Sequence, residues 1–115
     1  MKRQPKSITF GNIISDEEAK NKYGFVYLLE VADMKYIGQK SFSLGADWKT
    51  YCSSSKEIKE MLKTHSGSFF VLELAKTRRE LTYLEARYQM EYRVLEKDEY
   101  LNKNILGKFY RNVRK

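Results

Sequence analysis

Cysteine, histidine and proline each occur once in the 115 residues, and each scarcity closes off a class of protein. Cys52 alone excludes an intrachain disulfide, and Cys52 with His65 cannot supply the ligands of a structural Cys/His zinc site. A metal at work in this chain must therefore be held through oxygen. No apolar run approaches the ~18 residues that read as a bilayer span, and Met1-Lys2-Arg3-Gln4-Pro5 is not followed by the apolar stretch of a signal peptide. A cytoplasmic protein without a membrane partner is expected. With one proline, no repeat and no low-complexity tract, nothing marks a long linker. Arginine is missing over a long stretch, with none between Arg3 and Arg78.

What is plentiful is positive charge. Lys and Arg number 22 against 15 Asp and Glu, a formal charge of +7, which makes the surface attractive to phosphate backbones or anionic lipid without choosing between them. The length suits one domain with a single modest core.

Along the chain, Ile8-Thr9-Phe10 has the makings of a short strand, and Ser15 before Asp16-Glu17-Glu18 reads as an N-cap with first-turn acids opening a short helix. Residues 25–31, rich in branched and aromatic side chains, reverse at Ala32-Asp33-Met34-Lys35 and resume at Tyr36-Ile37-Gly38, which predicts a β-hairpin. Residues 41–52 lack a period and read as a loop with aromatic anchors. Ser53 to Ser55 offer caps for a helix through Lys63, with Ile58, Met61 and Leu62 buried and His65-Ser66-Gly67-Ser68 stopping it. Residues 69–75 predict a central strand beside the hairpin. Thr77-Arg78-Arg79-Glu80 matches a capping box, and Leu81, Leu84, Tyr88, Tyr92 and Leu95 form one helical stripe of about five turns. The order is β-β-α-β-α, an α+β fold with a small three-stranded antiparallel sheet flanked by helices.

Glu85 interrupts that stripe. At ~100° per residue it sits about 40° from Leu81 and about 60° from Tyr88, so a carboxylate projects from an apolar face. Two readings remain open: a Glu at the stripe's edge paired with Lys or Arg, or a metal ligand. Tyr27 and Tyr36, on neighbouring strands near the turn, are either a packing pair or two phenols that hold and activate a water.

Taken in order, Gly24 with Phe25-Val26-Tyr27, then Tyr36-Ile37-Gly38, then the carboxylate within Leu84-Glu85-Ala86-Arg87-Tyr88 resemble the GIY-YIG nuclease family over about residues 24–109. The small phage-type and homing-endonuclease-like members are most similar. They carry a Tyr-Ile-Gly-x-Lys stretch (Tyr36 to Lys40), a Trp-x-x-Tyr-x-Ser-Ser segment (Trp48, Tyr51, Ser53, Ser54) and a tail like Tyr100 and Asn102. The resemblance divides the chain into an N-terminal extension with a short helix (1–22), a GIY-YIG-like nuclease domain (23–110) and a basic tail (111–115).

The resemblance implies metal-assisted hydrolysis of phosphodiester bonds in DNA, nicking or cutting, with one Mg²⁺ (or Mn²⁺) per site held by Glu85. It implies Tyr27 as general base, directly or through water, and Tyr36 as the group that positions water or phosphate. A phenol's pKa near 10 requires a nearby cation for its phenolate. Family members place an arginine near the start of the first helix to hold the phosphate, where this chain reads Asp47-Trp48-Lys49-Thr50-Tyr51. Lys40 is the first candidate for that role, Lys49 the second and Lys56 the third, each a point charge without the bidentate fork. Tyr51 and Asn102 complete the expected substrate-binding set. His65 reads as a helix-end residue and Cys52 as packing. The implied partner is DNA, with specificity from a partner protein or a homodimer, in a bacterial cytoplasm if the origin is phage. The alternatives are a catalytically weak or silent nucleic-acid-binding module on the same scaffold, and an interaction protein that redirects a larger enzyme.

Overall fold

The structure is a computed structural model that describes residues 8–10, 15–42 and 56–111. Lys49, Tyr51, Cys52, most of the expected aromatic loop and the serine caps at 53–55 lie outside the described residues. Among those described, six strands and three helices follow in the order β1 (Ile8–Phe10), α1 (Asp16–Ala19), β2 (Gly24–Val31), β3 (Met34–Ser41), α2 (Lys56–Met61), β4 (Gly67–Ala75), α3 (Arg78–Glu91), β5 (Asn104–Ile105) and β6 (Phe109–Tyr110).

The predicted antiparallel sheet is present as β4-β2-β3, and β1 adds a fourth strand parallel to β4 on the far edge. β2 lies centrally, with Phe25, Tyr27, Leu29 and Val31 packed on one face and Val26 and Leu28 on the other. Its near-continuous apolar run follows from cover on both sides. On the first face Ile58 of α2 and Leu62, just after it, pack against Tyr27, Phe69 and Val71. On the second, α3 lays Leu81 and Leu84 over Val26, Ile37 and Ala75.

A one-residue irregularity sits in β4. Val26 pairs with Glu73 but Tyr27 pairs with Val71, so Leu72 is the extra residue and the strand's faces exchange beyond it. Glu73 is thereby turned toward α3, where Tyr88 donates its hydroxyl to Oε1 at 2.9 Å, and Leu74 turns to the other core.

The N-caps predicted at Ser15 and Thr77 form. Ser15 Oγ accepts from the Glu18 amide while Glu18 Oε1 accepts from the Ser15 amide. Thr77 Oγ1 accepts from the Glu80 amide, but Glu80 reaches back to the Lys76 amide, one residue earlier than a capping box requires.

α3 is shorter than the expected five turns. Its 14 residues end at Glu91 because Arg93 takes a left-handed φ of 56°, and its amide and that of Val94 bond back to Met90 and Gln89. This is a Schellman C-cap with arginine where glycine is usual. Val94 and Leu95, beyond the helix, are still buried against it. The C-terminal segment forms the β5–β6 hairpin, where no strand was expected. The Gly107 amide donates to Asn104 Oδ1, and Leu106 and Gly107 both have positive φ.

A non-glycine residue held left-handed costs about 1–2 kcal/mol, part of which glycine returns as chain entropy. Arg93→Gly is therefore expected to raise stability by about 0.5–1 kcal/mol, read as a higher urea midpoint with unchanged slope.

Candidate active site

β3 is an edge strand, and a cleft of about 380 Å³ opens along its outer side. Tyr36 from β3, Lys56 and Glu57 from the start of α2, Glu85 and Gln89 from α3, and Asn102 with its neighbours line it. The edge itself is closed by the chain that follows α3. The Lys35 amide donates to the Glu99 carbonyl, and the Leu101 amide donates to the Lys35 carbonyl. At Ile37 the Asn102 side chain takes the place of a strand: Oδ1 accepts from the Ile37 amide at 3.1 Å and Nδ2 donates to the Ile37 carbonyl at 2.8 Å. Gln89 Nε2 donates to that carbonyl at 3.0 Å. Asn102 was expected to bind substrate, and it does line the cleft, but its buried amide is engaged in holding β3.

Glu85 enters this cleft from α3. Oε1 accepts from Gln39 Nε2 at 2.8 Å, and among the described residues Glu85 has no ion pair. Burial pushes its carboxyl above the usual carboxylate range, against a smaller lowering by the Gln39 hydrogen bond. The reading in which Glu85 pairs with Lys or Arg thus finds no such partner among the described residues. A partly desolvated carboxylate with one oxygen engaged offers the other to a hard cation. No group of three or more His, Cys, Asp or Glu side chains is placed to hold a metal among the described residues. Glu85 therefore suits an ion that keeps most of its waters, as Mg²⁺ does.

The two tyrosines lie on the opposite face of the sheet from Glu85 and converge on the same edge. Tyr27 pairs with Gly38 across the hairpin, and a Cβ added to Gly38 would lie 2.6 Å from the Tyr27 hydroxyl and 2.9 Å from the Tyr36 ring. The glycine of Tyr36-Ile37-Gly38 is thus the space through which the Tyr27 phenol reaches β3. Tyr27 stacks on Phe69 at 4.9 Å and lies 6.4 Å from Tyr36, ring centre to ring centre. Tyr27 is fully buried, whereas Tyr36 lines the cleft. Gly24 is held for a similar reason: its Cβ would fall 2.3 Å from the Lys40 carbonyl oxygen.

The cations divide by position. Lys56 lines the cleft with Tyr36 and Glu85, is exposed, and has no carboxylate partner among the described residues. Lys40 is half-buried on β3, four residues beyond Tyr36 or about 13 Å along a strand, and outside the cleft lining. Lys103, which the sequence did not single out, also lines the cleft and pairs with Glu57 at 2.7 Å. Gln39 and Gln89 were missed too. Neutral amides carry no pattern in a sequence, and only the alternation of β3, which sends Gln39 to the α3 side, could have suggested one of them. α2 ends at Met61, two residues before the expected Lys63, and His65 follows in the turn beyond it, its Nδ1 beside the Met61 carbonyl and the Thr64 hydroxyl.

The family model described as "Putative endonuclease segE, GIY-YIG domain" matches residues 8–105. The chain belongs to the GIY-YIG nuclease family. Neither a curated protein nor a solved structure gives a significant match. The GIY-YIG domain so matched takes in β1 as well as the hairpin, and ends within the β5–β6 hairpin. No helix among the described residues is long and apolar enough to cross a membrane.

Asn102→Ala strands the Ile37 amide at a buried edge and is expected to cost about 1–3 kcal/mol, measured by urea unfolding. A second expectation concerns Glu85. Its raised folded pKa means that its stability contribution is full below the unfolded pKa and is lost as pH rises through the folded one. Glu85→Gln should therefore raise the melting temperature at pH 7, by an amount that vanishes as the pH falls to the ordinary carboxylate range. Mg²⁺ should stabilise the parent protein and leave the variant's melting temperature unchanged.

Proposed function

We propose that this GIY-YIG domain is a divalent-metal-dependent DNA endonuclease whose scissile phosphate sits in the cleft at the outer edge of β3. The observation that carries this reading is Glu85, a carboxylate desolvated by the fold, without a cation partner among the described residues, in the cleft that Tyr36 also lines. Leaving such a group unpaired is unfavourable unless a ligand supplies the charge.

Glu85 would hold one Mg²⁺ or Mn²⁺, its free oxygen toward the cleft and its other oxygen fixed by Gln39. When bound, the ion supplies charge neutralisation at the phosphate and at the leaving oxygen. Tyr36, at the cleft, orients the attacking water. Tyr27, beside it beneath Gly38, is the general base through Tyr36 or a water, since its buried hydroxyl does not line the cleft. Lys56 takes the phosphate-holding part that an arginine plays elsewhere in the family. This puts the third-ranked lysine ahead of Lys40, because Lys56, unlike Lys40, lines the cleft with both Tyr36 and Glu85. Lys40, on the tyrosine face of β3, is left for the flanking backbone, and Lys49 and Tyr51 keep the substrate-binding part that the family resemblance implies.

Incubation with supercoiled plasmid and Mg²⁺ or Mn²⁺ is expected to yield nicked or linear DNA. Glu85→Ala and Tyr27→Phe should each lower the rate by about 10²-fold or more, and Lys56→Ala by about tenfold or more. Cleavage untouched by the first two substitutions would remove the site assignment. DNA binding without cleavage under any metal would leave a silent binding module.

A further inference from the structure

A second groove lies along α3, and none of its lining residues lines the cleft described above. Its lining is mainly apolar and is formed by Arg78, Arg79, Thr82, Tyr83 and Ala86 of α3, with Leu106 from the hairpin tip opposite. At ~100° per residue these α3 positions fall within about 140° of arc, so they share one face. Tyr83 is 61% exposed and Leu106 50% exposed.

Arg78 and Arg79 are exposed, and among the described residues neither has a carboxylate partner. The acids nearest in sequence have other contacts: Glu80 accepts from the Lys76 amide, Glu73 pairs with Arg87, and Glu85 accepts from Gln39. The groove therefore presents two guanidinium groups without an ion pair among the described residues, together with an aromatic ring. Leu106 adds a further oddity, because it holds φ at 60° while half exposed at the turn. A left-handed, solvent-facing leucine is unfavourable on both counts.

We propose that this groove is a docking site for single-stranded nucleic acid, in which an unstacked base lies between Tyr83 and Leu106 and Arg78 and Arg79 hold the flanking phosphates. This names the form of substrate for the nuclease proposed above and rests on that reading. Charge complementarity selects the occupant: guanidinium forks match phosphate oxygens, the chain carries +7 overall, and a second copy of it would bring like charge. An exposed ring beside free arginines is the arrangement by which proteins hold single strands without reading sequence. A duplex keeps its bases stacked and offers nothing to an apolar slot between Tyr83 and Leu106.

The test is fluorescence anisotropy of a labelled 20-nucleotide strand and its duplex, in EDTA so that cleavage plays no part. The parent protein should bind the strand more tightly than the duplex. Tyr83→Ala should weaken strand binding by about tenfold, and Arg78→Gln with Arg79→Gln should lower the salt slope by about 1.4. Leu106→Asn, which suits a left-handed φ, should weaken binding while its melting temperature holds or rises, an outcome that loss of folding cannot produce. Lys63→Gln, beyond α2 on the opposite side of the sheet, should bind as the parent does.

Variants that all bind like the parent would overturn the proposal, as would tighter binding of duplex. So would self-association that Tyr83→Ala abolishes without changing DNA affinity. Strand binding through these residues by a protein that cuts nothing would leave the groove standing and remove the nuclease reading. Plasmid cleavage with binding indifferent to them would do the reverse.

Discussion

The candidate site depends on how the outer edge of β3 is closed. An edge strand presents unpaired amides and carbonyls that water or another strand must satisfy. Here the Asn102 side chain bonds to both the amide and the carbonyl of Ile37, and Gln89 adds a second bond to that carbonyl. An asparagine amide serves where a strand backbone would, and it stops where a strand would run on. The edge is thus closed at Ile37 by a side chain, and the cleft opens beside it. Ile37 meanwhile anchors β3 in the core beneath α3.

With β3 pinned, the groups on its two sides are placed from opposite faces of the sheet. Tyr27 and Tyr36 come from the α2 side, and Glu85 comes from α3. The missing side chain at Gly38 lets the Tyr27 phenol reach the strand from beneath. Gln39, pointing to the other face, fixes the Glu85 carboxylate. Successive residues of Tyr36-Ile37-Gly38-Gln39 therefore line the cleft, anchor the core, leave room for a phenol and hold a carboxylate. The alternation of a strand divides these tasks between the faces.

Much of the fold was legible because its periodicities are strong. The hairpin, the strand at 69–75, the helix caps at Ser15 and Thr77 and the Glu85 break in the stripe follow from local pattern. Departures came where backbone geometry overrode it. Leu95 continues the apolar stripe of α3, yet the left-handed turn at Arg93 ends the helix first, because an arginine occupies a position that usually announces itself as glycine. The β5–β6 hairpin escaped notice because its strands are two residues each, too short for any alternation to register, and only Asn104 and Gly107 mark its turn.

The amino-acid sequence by itself determined the family, through motifs spread in order along the chain, and marked Glu85 as a carboxylate within an apolar helical face, through helical geometry. Tertiary structure decided which cation and which amides stand with that carboxylate. Lys40 is near Tyr36 in sequence but runs along the strand away from the cleft, whereas Lys56 and Asn102 are distant in sequence and meet there. Proximity along a β-strand carries a side chain away at about 3.3 Å per residue, and only the packing of α2, α3 and the C-terminal segment around the β3 edge brings the others in.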